Sequence, residues 1–181
     1  MFRFQRAADG AANDALKVNA LCRIGDTYLE QNDLERSLAA YDQVLKEFPR
    51  SISSDYAQYQ VGAVLARLGR YDSATLSFQS LLANFPESHL RDDAIYRIGS
   101  ALMQKGQYKE AIAQFEKMSA LFPESLLKDK ALFQIANAYF SLAQQDKALE
   151  LYRRLAADTP KEEIGRLSKY QIGWCYFHSG K

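Results

Sequence analysis

The four prolines of this chain, Pro49, Pro86, Pro123 and Pro160, follow one another at steps of 37 residues. The same step joins Gly25, Gly62, Gly99 and Gly173, with Ala136 in the remaining place, and it joins Ile24, Val61, Ile98, Ile135 and Ile172 just before them. A fixed period of this size marks an array of like units, each too small to bury its apolar side without its neighbours.

Within a unit the apolar residues recur at helical spacing. Ile95, Ile98, Gly99 and Leu102 share one face, and Leu132, Ile135, Ala136 and Tyr139 repeat the pattern. A second helix carries Ala74, Phe78 and Leu81, then Ala111, Phe115 and Met118, then Ala148, Tyr152 and Leu155. Gly69 and Gly106 fall between the two helices, where a positive φ ends a helix without steric cost. Phe48-Pro49, Phe85-Pro86 and Phe122-Pro123 close the second helix, because proline disfavours helical backbone before it and cannot continue the ladder. The Gly25 column lies inside the first helix, where glycine costs about 1 kcal/mol relative to alanine. Close packing against the bulky residues Tyr41, Phe78, Phe115 and Tyr152 is the expected compensation.

These columns resemble the tetratricopeptide repeat, in which a large apolar residue is followed by Leu-Gly, Tyr, Ala, Phe and Pro. The third unit matches with Ile95, Ile98-Gly99, Leu102, Ala111, Phe115 and Pro123, and the fourth with Leu132, Ile135-Ala136, Tyr139, Ala148, Tyr152 and Pro160. Ser37 stands where alanine is usual, and Leu65 and Leu102 stand where tyrosine is common. The resemblance implies an all-α, right-handed solenoid of antiparallel helix hairpins with full units at 15–50, 52–87, 89–124 and 126–161. Residues 1–11 read as the second helix of a partial unit, because Phe4-Gln5 precedes Gly25 as Phe78-Gln79 precedes Gly99. Residues 166–181 read as a first helix with Gly180 in the turn position, so the sequence looks like an excerpt of a longer array. Ile172 and Tyr176 are expected to lose packing partners there, and self-association through 166–181 or 1–11 follows as an expectation.

The family resemblance also implies a concave face lined by first helices. One column along it is Cys22, Tyr59, Tyr96, Phe133 and Tyr170, and a second is Leu29, Ala66, Met103, Phe140 and Phe177. Asp26, Ala63, Ser100, Asn137 and Trp174 lie between them, flanked by Arg23, Gln60, Arg97, Gln134 and Gln171. Rings in this groove could bury a peptide or helix while Arg97, Gln134 and Asn137 bond its backbone. The competing reading for Tyr59, Tyr96 and Phe133 is packing between successive first helices; Phe140, Trp174 and Phe177 are expected to be exposed. The groove of some relatives that clamps a terminal carboxylate is not supported, because aromatic residues occupy the column where its lysine would stand.

Lys and Arg total 23 against 22 Asp and Glu, an even balance that offers no phosphate-binding face, so nucleic acid is not an expected partner. No run approaches the roughly 18 apolar residues of a membrane span, and no membrane insertion is expected of this stretch. Cys22 and Cys175 lie about four units apart and read as free, part-buried thiols. His89 and His178 lack the further ligands that zinc needs, and Asp92 with Asp93 or Glu162 with Glu163 reads as surface charge. No phosphate loop or serine elbow occurs. The sequence thus leads us to expect no catalytic residue, metal or cofactor. It points to a scaffold that binds a protein or peptide, the alternative being a substrate-docking or regulatory arm of a multidomain enzyme. The 37-residue period and the Phe-Pro-Glu-Ser at 85–88 and 122–125 look like the bacterial envelope branch of the family, of barrel-assembly lipoprotein and Tol-Pal coordinator type. Periplasm or outer-membrane association is the favoured location on that resemblance, with cytoplasm left open.

Overall fold

The computed structural model describes residues 14–178, and the readings made of residues 1–11 and of Gly180 lie outside them. Among the described residues there are helices and turns but no strand. The chain divides into two compact units, Met1–Arg97 and Ile98–Lys181.

The first unit holds α1 (Asp14–Glu30), α2 (Leu34–Glu47), α3 (Ser54–Arg67), α4 (Tyr71–Asn84) and the first turns of α5 (Arg91–Gln104). α1 packs on α2, α2 on α3 and α3 on α4, and the first helices α1 and α3 also touch. The core gathers Val18, Leu21, Cys22, Tyr41, Val44, Ala57, Val61 and Val64. The glycines answer to close approach as their column suggested. A Cβ on Gly25 would stand 2.7 Å from the Tyr41 ring, and one on Gly62 would stand 2.7 Å from the Phe78 ring. Ser37, the exception in an alanine column, donates its hydroxyl to the Gly25 carbonyl at 2.9 Å, so the extra polar atom is satisfied where it is buried.

The second unit holds the rest of α5, then α6 (Tyr108–Leu121), α7 (Lys128–Ser141), α8 (Gln145–Asp158) and α9 (Glu163–His178). Gly99 meets the Phe115 ring at 2.7 Å, the same fit as in the first unit. Around the end of the chain Ala136, Ala148, Tyr152 and Cys175 form a cluster joined by Phe133, Phe140 and Ile172. Gly165, for which the sequence offered no reason, is required by the bend between α8 and α9: a Cβ there would fall 1.9 Å from the Thr159 carbonyl oxygen.

The turns within hairpins share one construction. Gly69 and Gly106 have φ of 73° and 72°, and Asn32 and Ala143 take φ 57° at the matching places. In each case the next residue's N–H donates to a carbonyl in the helix just ended, Asp33 to Tyr28, Arg70 to Leu65, Gln107 to Leu102 and Gln144 to Tyr139, all at 2.9 Å. This closure satisfies carbonyls that a helix end leaves bare. Asparagine tolerates the left-handed backbone, whereas Ala143 holds it against its own Cβ.

Candidate functional site

The columns expected to line a groove separate into groups with different surroundings. In the first unit Tyr59 is buried, its ring centroid 5.6 Å from that of Phe78. Its hydroxyl donates to Asp93 at 2.9 Å and accepts from Arg97 Nε at 3.1 Å, while Arg97 also reaches Asp93 at 3.2 Å. Burial pushes the Tyr59 phenol up to about 12 against the opposing pull of Arg97. Ring and hydroxyl are both taken up inside the unit, and Arg97 is the exposed end of this triad. Tyr96, on the same helix, is half-buried.

Asp26 anchors a second network that sequence reasoning placed only as a polar rung. Its Oδ1 accepts from Tyr41 and from Tyr56, both at 2.6 Å, and Gln60 Nε2 donates to the Tyr56 oxygen at 2.7 Å. Arg23 stands 3.7 Å from the other carboxylate oxygen. Burial first, and then the bond to Asp26, lifts the Tyr41 phenol far above its ordinary 10.0 and brings Tyr56 to about 12. Asn19, Cys22, Arg23, Asp26, Ser53 and Tyr56 border an opening of about 500 Å³. Burial and the nearby Asp26 raise the Cys22 thiol to about 11, so it stays a thiol and a poor nucleophile at neutral pH. Cys22 and Cys175 are both free and buried.

The second unit uses an amide in the role Asp26 fills. Tyr152 donates to Asn137 Oδ1 at 2.6 Å, Asn137 Nδ2 donates to Gln134 at 3.2 Å, and the Phe133 ring packs edge-on to Tyr152 at 5.7 Å. The signal for this pairing was in the sequence, fifteen residues apart. Asp26 precedes Tyr41 and Asn137 precedes Tyr152 by that distance, whereas Ala63 precedes Phe78 by the same distance, and there the ring has no hydroxyl to satisfy. Gln134, Asn137 and Phe133 are therefore half-buried parts of the packing with one polar edge outward. Met103 and Phe140 are also half-buried.

On α9 the same columns stand bare. Tyr170 is 67% exposed, Trp174 43% and Phe177 74%, with Trp174 and Phe177 stacked at 5.8 Å. Together with Lys169 and Gly173 they border an opening of about 480 Å³. The expectation that Ile172 and Tyr176 would be the residues left without partners is corrected by the structure. Ile172 packs into the α8 cluster, and the Tyr176 hydroxyl accepts from Arg153 of α8. The helix is rotated so that these two face α8, and the open face is the one bearing Tyr170, Gly173, Trp174 and Phe177.

Among the described residues no three His, Cys, Asp or Glu converge as metal ligands, and no helix is long and apolar enough to cross a membrane. The columns leave the rings of Tyr170, Trp174 and Phe177 and the guanidinium groups of Arg23 and Arg97 at the surface.

Paired helices with glycine-to-ring packing define the class of helical-repeat proteins. Models of the tetratricopeptide repeat match residues 22–89 and 91–158, and the chain belongs to that family. A search of curated proteins returned no match. Among solved structures, MamA 41-end from Desulfovibrio magneticus RS-1 is similar at TM-score 0.73 and 24% identity, over 91% of this chain and 86% of that one. The nearly identical TPR-like repeats of a putative kinesin light chain from Podosopora anserina align at TM-score 0.74 and 16% identity, over 93% and 89%. YrrB, described as a TPR protein with an unusual peptide-binding site, aligns at TM-score 0.68 and 24% identity, over 98% and 84%. These likenesses establish the fold, an all-α helical-repeat solenoid. Membership of the family makes the chain a protein-interaction scaffold in general terms.

Proposed function

We propose that this scaffold holds its protein or peptide partner on the first-helix face of the second unit, where α7 and α9 lie side by side. Phe140 of α7 and Tyr170, Trp174 and Phe177 of α9 supply apolar contact, and Gln134 and Asn137 supply the polar edge. The observation that carries the reading is the exposure of three neighbouring rings on α9. Large rings left in water at one place mark a contact surface, and aromatic anchors dominate the energy of such surfaces. In the first unit, Arg97 presents a half-exposed guanidinium held in place by Tyr59 and Asp93, suited to a carbonyl or carboxylate of a bound chain. Tyr96, beside Arg97, belongs with it in the first unit, and Met103 belongs to the proposed contact set of the second. The peptide-binding description of YrrB agrees with this reading in kind.

Selection of displayed random peptides on the 181-residue chain tests it. Peptides that bind should lose about tenfold or more in affinity with Phe140→Ala or Trp174→Ala, the size of an interface anchor, with helical circular dichroism unchanged. Arg97→Ala should have a smaller effect. Binding that survives the first two substitutions would move the contact surface elsewhere.

A further inference from the structure

The guanidinium of Arg97 is engaged along one side only. Its Nε donates to Asp93 Oδ1 at 3.2 Å and to the Tyr59 hydroxyl oxygen at 3.1 Å. That hydroxyl in turn donates to Asp93 Oδ2 at 2.9 Å, so the three groups close a ring. The ring is anchored at both ends. Tyr59 is buried against Phe78 of α4, and Asp93 lies in the first turn of α5, four residues before Arg97. Every bond that the described residues make to Arg97 falls on Nε. The side chain is 47% exposed, which leaves Nη1 and Nη2 to water.

An arginine held in this way differs from an ordinary surface arginine in two respects. Its side chain is ordered before a partner arrives, so less conformational freedom is lost on binding. The N–H groups of Nη1 and Nη2 at its tip point the same way in one plane, at the spacing of the two oxygens of a carboxylate. A backbone carbonyl offers that pair one oxygen, whereas a carboxylate offers two and adds its charge. We infer that Arg97 reads an acidic side chain, Asp or Glu, of the bound peptide through this two-bond fork, and that Tyr59 and Asp93 are positioning residues for it. Asp93 does not use up the arginine: a guanidinium has five N–H donors, and the Nε side serves Asp93 while the tip serves the incoming carboxylate. Tyr59, expected from its column to meet the partner, acts instead through Arg97, with its ring in the packing and its hydroxyl in the triad. This rests on the reading of the chain as a peptide-binding scaffold given above and adds a sequence preference to it.

Displayed random peptides selected on the chain should be enriched in Asp or Glu. A selected peptide and its counterpart with glutamine in place of the glutamate are then titrated by calorimetry, both with amidated C-termini so that no terminal carboxylate competes. The unsubstituted chain should bind the acidic form about fivefold more tightly, the upper range for a half-exposed ion pair. Arg97→Ala should abolish the preference, and Arg97→Lys should leave about twofold, because an ammonium keeps the charge and lacks the fork. Tyr59→Phe should lower the ratio part of the way with helical circular dichroism unchanged; a merely structural role would weaken both peptides and leave their ratio as it was. Selected peptides without an acidic residue, or a preference that persists in Arg97→Ala, overturn the assignment. The two claims separate cleanly. Peptides that need Phe140 or Trp174 yet show no acidic preference keep the contact surface and lose this inference, and peptides indifferent to Phe140, Trp174 and Arg97 alike lose both.

Discussion

Tyr59 and Tyr170 occupy the same column of the repeat and could hardly differ more. Tyr59 is 9% exposed, packed on Phe78 and hydrogen-bonded through its oxygen, while Tyr170 is 67% exposed. Gly62 and Gly173 differ in the same way, one under a ring and the other open. A column fixes which way a side chain points; only the elements packed around it decide whether that direction ends in core or in water. In this chain the first unit spends its aromatic residues on packing and its polar groups on each other, and α9 presents equivalent residues exposed.

Substitutions that treat the two regions alike should expose the contrast. Phe78→Ala, which empties a fully buried site, should cost about 3–5 kcal/mol. Trp174→Ala should cost under about 0.5 kcal/mol. Urea unfolding at low micromolar concentration measures both. Equal costs would mean that α9 is packed like the first unit. For the notches themselves, Gly62→Leu should lose about 1–3 kcal/mol to overpacking against Phe78. Gly173→Leu should be neutral or gain up to about 1 kcal/mol from better helix propensity.

Asp26→Ala leaves the hydroxyls of Tyr41 and Tyr56 without their acceptor, and should cost about 1–3 kcal/mol. Adding Tyr41→Phe should return part of that loss, because it recreates the Ala63 and Phe78 pairing that the next hairpin already uses. No recovery would show that the Tyr41 hydroxyl is not the group being served. The same phenols set an alkaline limit. Their folded pKa values lie above the ordinary 10.0, so their contribution is fully present below pH 10 and is lost as pH climbs through the raised values. Thermal midpoints should therefore hold to about pH 10 and fall above it. The fall should be smaller in Tyr41→Phe.

The smallest effect belongs to a turn. Ala143 holds φ 57° where Gly69 and Gly106 have glycine, so Ala143→Gly should stabilise by about 0.5–1 kcal/mol. The corresponding Gly106→Ala should lose a similar amount. A thermal-shift series on the two reads this directly.

The fold was legible in the sequence because proline, glycine and aromatic residues each carry a strong local requirement and recur at a fixed step. Gly69 and Gly106 announced their turns; Asn32 and Ala143 adopt the same backbone without announcing it, since neither residue type demands a positive φ. Gly165 stayed unread because its constraint comes from a carbonyl across the bend rather than from its own helix. The site was legible as columns and illegible as contacts. Gln134 and Asn137 were expected to face a partner, and their bonds to each other and to Tyr152 emerge only when columns fifteen residues apart are compared. At the chain's end the facing of Ile172 and Tyr176 toward α8 depends on helix rotation, which periodicity leaves free by a fraction of a turn.

The most direct test of the contact surface is a titration of a selected peptide into the chain at low micromolar concentration, read by the emission of Trp174. A saturable blue shift, abolished together with binding by Phe177→Ala, is the expected result. Tight peptide binding with the emission of Trp174 unmoved and Phe177→Ala without effect would contradict it.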